Sequence, residues 1–150
     1  MFGPPVLGYA ATMSIEANIK LVRDTMDAFL AGDPEPLLAA LTPDAVIAAV
    51  IPEGTPISGH FQGRDGFLRY FAALGEVMEI LDVQTTDYTG SETSVVILGR
   101  ERARVRRTGA MLDCDIATVF TLKDGKIARM LAMADMSPIV DAYRGTTTAA

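Results

Sequence analysis

The sequence predicts a single α+β domain, with helices in its first half and an antiparallel sheet in its second. Apolar side chains recur at helical spacing from Ile15 to Leu30, whereas residues 79–134 read as strands separated by turns. The chain has 150 residues, of which 49% are hydrophobic and 21% charged. That length and composition are typical of one globular domain with a sizeable core. We assign this domain to residues 14–144, with a flexible extension at residues 1–13 and a disordered tail at 145–150.

Three helices are predicted before the antiparallel meander, with the first strand between the second and the third. The first spans residues 15–31, with Ser14 as its N-cap and Gly32 at its end. A short second helix starts at Pro34, because proline needs no donor in a first turn. The third begins at Gly63 and places aromatic side chains on one face. A closing helical turn follows Ser137-Pro138.

Five strands are predicted from short apolar or alternating segments bounded by glycine, proline and aspartate. The first strand is followed by a loop that contains His60. The others form a meander, with Gly125 in a tight turn before the last strand. The predicted strands are residues 45–51, 79–88, 93–106, 110–122 and 127–134.

The hairpin over residues 95–120 is the most informative segment. With Thr108-Gly109 as its turn, Glu101 lies opposite Ile116 on an apolar face. The opposite face carries four arginines against two aspartates: Arg100, Arg102, Arg104 and Arg106 against Asp113 and Asp115. A lone carboxyl on an apolar face must be paired, protonated or used in chemistry.

Charge and composition exclude several classes of function. Thirteen basic and nineteen acidic residues give a net charge of −6, which disfavours nucleic acid and anionic membranes as partners. One cysteine and one histidine exclude a disulfide framework and argue against a zinc site. No apolar run reaches bilayer length and the first residues lack the basic start of a secretory signal, so we expect a cytoplasmic protein.

Several short segments lie at the junctions between predicted elements. The order of elements over residues 14–143, together with these segments, resembles the SnoaL-like branch of the NTF2-like superfamily, which includes polyketide cyclases, ketosteroid isomerases and limonene epoxide hydrolases. The segments are Ala31-Gly32-Asp33, Thr42-Pro43-Asp44, Gly63-Arg64 and Lys123-Asp124-Gly125-Lys126-Ile127 followed by Asp135. The resemblance implies a cone in which three N-terminal helices pack on a strongly curved, mixed, mostly antiparallel sheet around an apolar pocket. It also implies a homodimer through the outer sheet face and chemistry without a cofactor.

The active residues of these families are mostly absent. The Arg-x-Asp pair of limonene epoxide hydrolases falls on Gly99 and Glu101, so only the acid is kept. The family's tyrosine and asparagine fall on Ile47 and Ala49, and its second aspartate on Ala132, where the polyketide cyclase acid/base also falls. Three functional positions of ketosteroid isomerases are also replaced, falling on Thr25, Ala49 and Thr118.

The resemblance and the hairpin register together predict an apolar pocket. Small side chains at family positions (Ala49, Gly99 and Ala132) suggest a roomy site. We expect the substrate to contact nine residues: Ile47, Ala49, Gly99, Cys114, Ile116, Thr118, Met130, Ala132 and Phe71.

Glu101 is the main candidate for catalysis. Burial raises a carboxyl pKa and poises the group to exchange protons at working pH. The alternative is a structural carboxylate that is paired with an arginine, such as Arg129 or Arg64, or that lies near a solvated pocket mouth. His60 is a second catalytic candidate that relays a proton or orients a carbonyl, or else a solvated loop residue. Cys114 reads as inert packing, since no histidine is spaced to activate it.

Two functions follow. The first is a cofactor-independent enzyme that uses general acid/base proton transfer on an apolar small molecule, by isomerisation, cyclisation, dehydration or epoxide opening. The second is a non-catalytic protein that binds an apolar metabolite, or a dimeric interaction module.

Overall fold

The helices lie on one side of a curved sheet in the computed structural model, which describes residues 14–145. The extension predicted at residues 1–13 and all but the first residue of the predicted tail lie outside the described residues. The helices are α1 (Ile15–Leu30), α2 (Glu35–Ala39), α3 (Gly63–Val77) and α4 (Ser137–Arg144). No helix within the described range is both long enough and apolar enough to cross a membrane.

Helix α1 forms where the sequence predicts it. The Ser14 side chain accepts a hydrogen bond from the Ala17 backbone N–H at 3.1 Å, which caps the first turn. Val22 is fully buried on the inner face of the helix, and an ion pair between Lys20 and Asp24 lies on its outer face. The chain leaves the helix through Gly32, whose φ of +96° is one that glycine adopts without strain.

Six described strands form one sheet in the order β2-β1-β6-β5-β4-β3. Only the β1–β6 pair is parallel; the other pairs within the described part of the chain are antiparallel. The strands are β1 (Leu41–Ala49), β2 (His60–Gln62), β3 (Met78–Gly90), β4 (Ser94–Val105), β5 (Met111–Lys123) and β6 (Lys126–Met133). The predicted α+β class and the mixed, mostly antiparallel sheet are confirmed.

Two sequence predictions near β1 are wrong. The strand begins at Leu41, four residues before the predicted start, because its backbone pairs with β6 from Ile127 onward. His60 lies in a strand, not in a loop, since β2 pairs with β1 in a register that places His60 opposite Ala48. This three-residue strand is too short for alternation to reveal.

The hairpin register also differs from the prediction. Glu101 pairs with Cys114 instead of Ile116, because the turn is wider than Thr108-Gly109. Arg106 leaves the strand: its backbone N–H donates to the Val77 carbonyl at 3.0 Å and its Nε to the Gly75 carbonyl at 2.8 Å. The end of α3 therefore holds the first turn residue away from the ladder.

The predicted division into two faces is unaffected, because the shift is by two residues and side chains alternate with period two. Arg100 contacts Asp113 at 2.9 Å and Asp115 at 3.2 Å on the outer face. Arg104 contacts Glu79 there at 3.2 Å. Exposed pairs of this kind contribute roughly 0–1 kcal/mol each, so the core, not the ladder, stabilises the fold.

The core lies between the inner sheet face and helices α1 and α3. Phe67 from α3 and Phe120 from β5 are fully buried. The strand β3 has register shifts between Ile80 and Asp82 and between Thr85 and Asp87. Bulges bend a strand and increase its twist, so the edge of the sheet curves toward the helices and leaves a space beside α1.

Candidate active site

A cavity of about 120 Å³ lies between α1, α3 and the inner face of the sheet. Its walls are almost entirely apolar, and its ionisable groups are Glu101 and two tyrosines. Exposed side chains of α1 and β3, such as Leu30 and Ile80, lie at its rim. The lining consists of Met26, Phe29, Leu30, Tyr70, Phe71, Leu74, Ile80, Val83, Gln84, Thr85, Tyr88, Ile97, Gly99, Glu101, Ile116, Thr118, Met130 and Ala132.

Glu101 is half-buried in the cavity wall. It lies on β4 between Val83 of β3 and Cys114 of β5. Its carboxylate forms no hydrogen bond or ion pair within residues 14–145. Burial without a compensating cation disfavours the charged form, so the pKa of Glu101 is raised above its ordinary value.

Neither arginine proposed as a partner for Glu101 reaches it. Arg64 pairs with Glu35, at 2.8 and 3.0 Å to the two carboxylate oxygens. Arg129 is exposed and lies opposite Thr121, which places it on the outer face of the sheet. The alternative of a structural ion pair with either residue is therefore wrong, and among the described residues Glu101 is the one carboxyl in the cavity lining.

Tyr70 is the second polar group at the site. It lies on α3, only 2% exposed, and its ring lines the same cavity as Glu101. Burial, and to a smaller degree the negative charge of Glu101, raise the pKa of Tyr70 to about 12. The phenol therefore stays protonated at neutral pH and can donate a hydrogen bond to a ligand.

Tyr70 is a functional candidate that the sequence pattern does not single out. The helix face that carries Phe67, Tyr70 and Phe71 is typical of core packing. The signal was the phenol itself, because a tyrosine on a buried face needs a partner for its hydroxyl. Which strand the hydroxyl approaches depends on how α3 packs on the sheet.

Six of the nine predicted lining residues lie in the cavity wall: Gly99, Ile116, Thr118, Met130, Ala132 and Phe71. Ile47 and Ala49 do not: they are buried in the core on β1, which lies between β2 and β6 in the sheet. Cys114 is half-buried beside Glu101 but is not part of the lining. His60 is exposed on the edge strand β2 and lies outside the cavity.

The expectation of a roomy site is wrong. The Gln84 carbonyl oxygen of β3 occupies the space that a side chain on Gly99 would take, and Ala49 is outside the lining. Of the three small residues behind the expectation, Gly99 and Ala132 border the cavity, and backbone of β3 fills the space beside Gly99. A volume of 120 Å³ is close to the ~150 Å³ of an engineered cavity that binds benzene. It is well below the ~300–1,000 Å³ of pockets for drug-sized ligands.

The described part of the chain shows no cluster of side chains that would bind a metal ion. Among residues 14–145 no group of three or more histidine, cysteine, aspartate or glutamate side chains is arranged to hold an ion. The polar side chains that line the cavity are the carboxyl of Glu101, the phenols of Tyr70 and Tyr88, the hydroxyls of Thr85 and Thr118, and the amide of Gln84. This set suits proton transfer and hydrogen bonding to an oxygen of an apolar ligand.

Comparisons with known proteins agree with this fold. A family model described as a SnoaL-like domain matches residues 22–130. The uncharacterized protein Rv0034 of Mycobacterium tuberculosis (strain ATCC 25618 / H37Rv) is 30% identical over 121 residues, which cover 79% of this chain and 88% of that protein.

Two solved structures are similar in shape. An NTF2-like protein from Burkholderia xenovorans LB400 has a TM-score of 0.75 and 22% identity, with 87% of this chain and 98% of that chain covered. A protein from Jannaschia sp. CCS1, described as a SnoaL-like polyketide cyclase, has a TM-score of 0.68 and 19% identity, with 86% and 92% covered. At these identities the likeness concerns the fold alone, and the fold expected from the resemblance is confirmed.

Proposed function

This chain belongs to the SnoaL-like domain family, and we propose that it is a cofactor-independent enzyme that transfers a proton on an apolar small molecule. One observation carries the proposal: the unpaired carboxyl of Glu101 faces an apolar cavity beside the protonated phenol of Tyr70. A carboxyl whose pKa lies nearer the working pH is a better general acid/base than a solvated one.

Glu101 and Tyr70 have different roles in the proposed reaction. Glu101, when ionised, accepts a proton from carbon next to a carbonyl of the bound substrate, and the electron pair of the C–H bond moves onto the carbonyl oxygen. Tyr70 donates a hydrogen bond to that oxygen, where negative charge develops. Glu101 then returns the same proton to the far carbon of the adjacent C=C bond, the electron pair on oxygen re-forms the carbonyl and the double bond shifts into conjugation, so a β,γ-unsaturated ketone is isomerised without any co-reactant. Isomerisation is the simplest of the four reactions expected from the sequence, and it needs no second acid.

The cavity size limits the part of the substrate that reacts. A space of about 120 Å³ holds a single six-membered ring and little more. Besides the two reacting groups, the described part of the wall carries four polar side chains, Gln84, Thr85, Tyr88 and Thr118. We expect the reacting part to be a small cyclic or branched ketone, because the space admits little more than one ring.

His60 is not part of this mechanism. It is exposed on β2 and does not line the cavity. A relay from His60 to Glu101 would have to cross the buried strand β1. The cytoplasmic location and the homodimer expected from the sequence remain part of the proposal.

The direct test is the titration of Glu101 followed by turnover of a small probe. Carbon-detected NMR with Glu101→Gln as the assignment control gives the pKa, which should lie well above the unperturbed value of about 4.3. The probe is 3-cyclohexen-1-one, whose conversion to the conjugated isomer is followed by ultraviolet absorbance. Glu101→Gln should lower the rate about 10²–10⁴-fold, the range of general acid/base catalysis.

Glu79→Gln is the matched control, since Glu79 pairs with Arg104 on the outer sheet face. It should turn the probe over like the wild type. A Glu101 pKa at or below the unperturbed value, or equal rates for Glu101→Gln and wild type, would contradict the proposal.

The second candidate is a non-catalytic protein that binds an apolar metabolite. The observation in its favour is that Glu101 has neither an arginine nor a second carboxylate beside it, unlike the arrangement that the epoxide hydrolase resemblance implies. Binding of the probe with no conversion, together with an unperturbed Glu101, would favour this function.

A further inference from the structure

A second apolar space adjoins the cavity on the helical side. This helix pit, as we name it, has a volume of about 270 Å³ and opens at the surface. Leu68 at its rim is 42% exposed. Its lining carries no charged or hydrogen-bonding side chain and consists of Phe29, Gly32, Pro34, Leu37, Leu38, Leu68 and Phe71.

The helix pit and the cavity share two walls, Phe29 and Phe71. The two rings contact each other, with centroids 4.3 Å apart and planes tilted by 42°. The two spaces are therefore separated by a single layer of aromatic side chains. The ring of Phe71 borders both spaces, so its position decides whether a ligand can extend from one into the other.

Joining the spaces changes the size of ligand that the site admits. The cavity alone is near the size of one ring, whereas the cavity and the helix pit together reach the lower end of the ~300–1,000 Å³ range of small-molecule pockets. Among the described residues, the polar side chains of this combined space all line the cavity: Glu101, Tyr70, Thr118, Gln84, Thr85 and Tyr88. The other end is apolar throughout.

We propose that the ligand is an elongated molecule whose carbonyl-bearing ring lies in the cavity and whose apolar tail passes between Phe29 and Phe71 into the helix pit. The inference rests on the proposed function only in which end of the ligand reacts. The tail carries no charge, because the pit supplies no partner for one. Burial of the tail against leucine and phenylalanine side chains provides most of the affinity.

Binding of the tail also affects a reacting group, because Phe71 contacts the ring of Tyr70. Phe71 follows Tyr70 directly, and their rings pack edge to face with centroids 5.3 Å apart. A tail that displaces Phe71 also changes the packing of the ring whose hydroxyl is the hydrogen-bond donor. Tail binding thus positions Tyr70 as well as adding affinity.

Two neutral probes of different length test this inference by binding alone. Toluene has one ring, and N-phenyl-1-naphthylamine has three rings in an extended arrangement. Methyl NMR shifts report the cavity through Ile97 and Ile116 and the helix pit through Leu37 and Leu38. Toluene should shift the cavity methyls only, and the longer probe should shift both sets at one stoichiometric site.

Variants separate the two spaces. Leu68→Glu should weaken the longer probe about tenfold and leave toluene unchanged, because the charge lies at the rim of the helix pit. Leu81→Glu is the matched control, since Leu81 is 38% exposed on β3 and lines neither space. Phe71→Leu should raise the association rate of the longer probe severalfold, because a smaller side chain obstructs the passage less.

Several results would overturn the inference. They are shifts of only one methyl set by the longer probe, absence of binding by that probe, or equal loss of its binding in Leu68→Glu and Leu81→Glu. Shifts of the pit methyls that follow protein concentration without a probe would assign the pit to a second copy of the chain instead. Because the readout is binding, it can succeed with Glu101→Gln, so failure here and failure of the catalytic proposal are distinguishable.

Discussion

The backbone carbonyl oxygen of Gln84 lies where the Cβ of any larger residue at position 99 would be, so β3 and β4 approach closely only because residue 99 is glycine. The register of β3 against β4 shifts right beside this contact, between Thr85 and Asp87. Gly99 thus shapes the cavity wall by admitting a backbone, and not by leaving space for a ligand.

Gly99→Ala should lower the free energy of unfolding by about 1–3 kcal/mol, because the new methyl group forces β3 away from β4. Urea denaturation measures the change. Gly75→Ala is the control: a Cβ there meets no atom within 4 Å, and alanine in a helix should stabilise by about 0.5–1 kcal/mol. Equal effects of the two substitutions would mean that Gly99 is not tightly packed.

Tyr70→Phe should lower turnover of 3-cyclohexen-1-one about 10²–10³-fold, the usual loss for one donor to a developing oxyanion. Stability should change little, because the hydroxyl forms no hydrogen bond within residues 14–145. The pKa of Glu101 should stay raised in this variant, since burial is its cause. A lower turnover rate together with an unchanged Glu101 pKa would identify the Tyr70 hydroxyl as a hydrogen-bond donor to the substrate. Unchanged turnover would exclude that role.

Glu101→Gln should in turn lower the pKa of Tyr70 from about 12, because the charge of Glu101 contributes to it. The value should remain above the ordinary tyrosine pKa, since burial is the larger cause. Ultraviolet titration of each protein against its own Tyr70→Phe variant isolates this residue. An identical Tyr70 titration with and without the carboxylate would mean that the two groups do not interact.

The inward position of Glu101 was predictable even though its strand partner was not. Side chains along a strand alternate between the two faces, so only a register error of an odd number of residues moves a side chain to the other face. The error in the hairpin register was two residues, and Glu101 therefore stayed on the apolar side. The displaced turn depends on hydrogen bonds from Arg106 to the end of α3, which are contacts between elements distant in sequence.

Packing across elements also explains the other differences. The role of Tyr70 depends on which strand α3 covers, and no local pattern encodes that. The space at Gly99 depends on a bulge in another strand, so counting small residues gave the wrong cavity size. Helix α1, in contrast, was predictable to within one residue at its C-terminal end, because its cap and its apolar spacing are local.

The expected homodimer can be tested on the outer sheet face. Leu98 is 40% exposed there, opposite Ala117, and other apolar side chains surround it: Val96, Val119, Leu131 and Met133. We expect light scattering to give a dimer for the wild type and a monomer for Leu98→Glu, since a charge at the centre of an apolar interface disfavours association. Leu68→Glu, on the helical side, should remain dimeric. A monomeric wild type, or a dimeric Leu98→Glu, would contradict this interface.

The stability of the protein should depend on pH through Glu101 in a defined direction. Because burial raises its pKa, the folded protein holds this proton at pH values where the unfolded chain has released it. The free energy of unfolding therefore falls as the pH rises from the unfolded pKa of about 4.3 through the folded pKa, and the loss is complete above the folded pKa.

Glutamine cannot ionise, so Glu101→Gln should become more stable relative to the wild type across that window. The gain should reach about 1.4 kcal/mol for each unit of pKa shift found by NMR. Urea denaturation from pH 4 to 8 measures it. Glu79→Gln, which loses an exposed ion pair with Arg104, should show no such gain; a gain of equal size there, or none in Glu101→Gln, would mean that Glu101 is not desolvated.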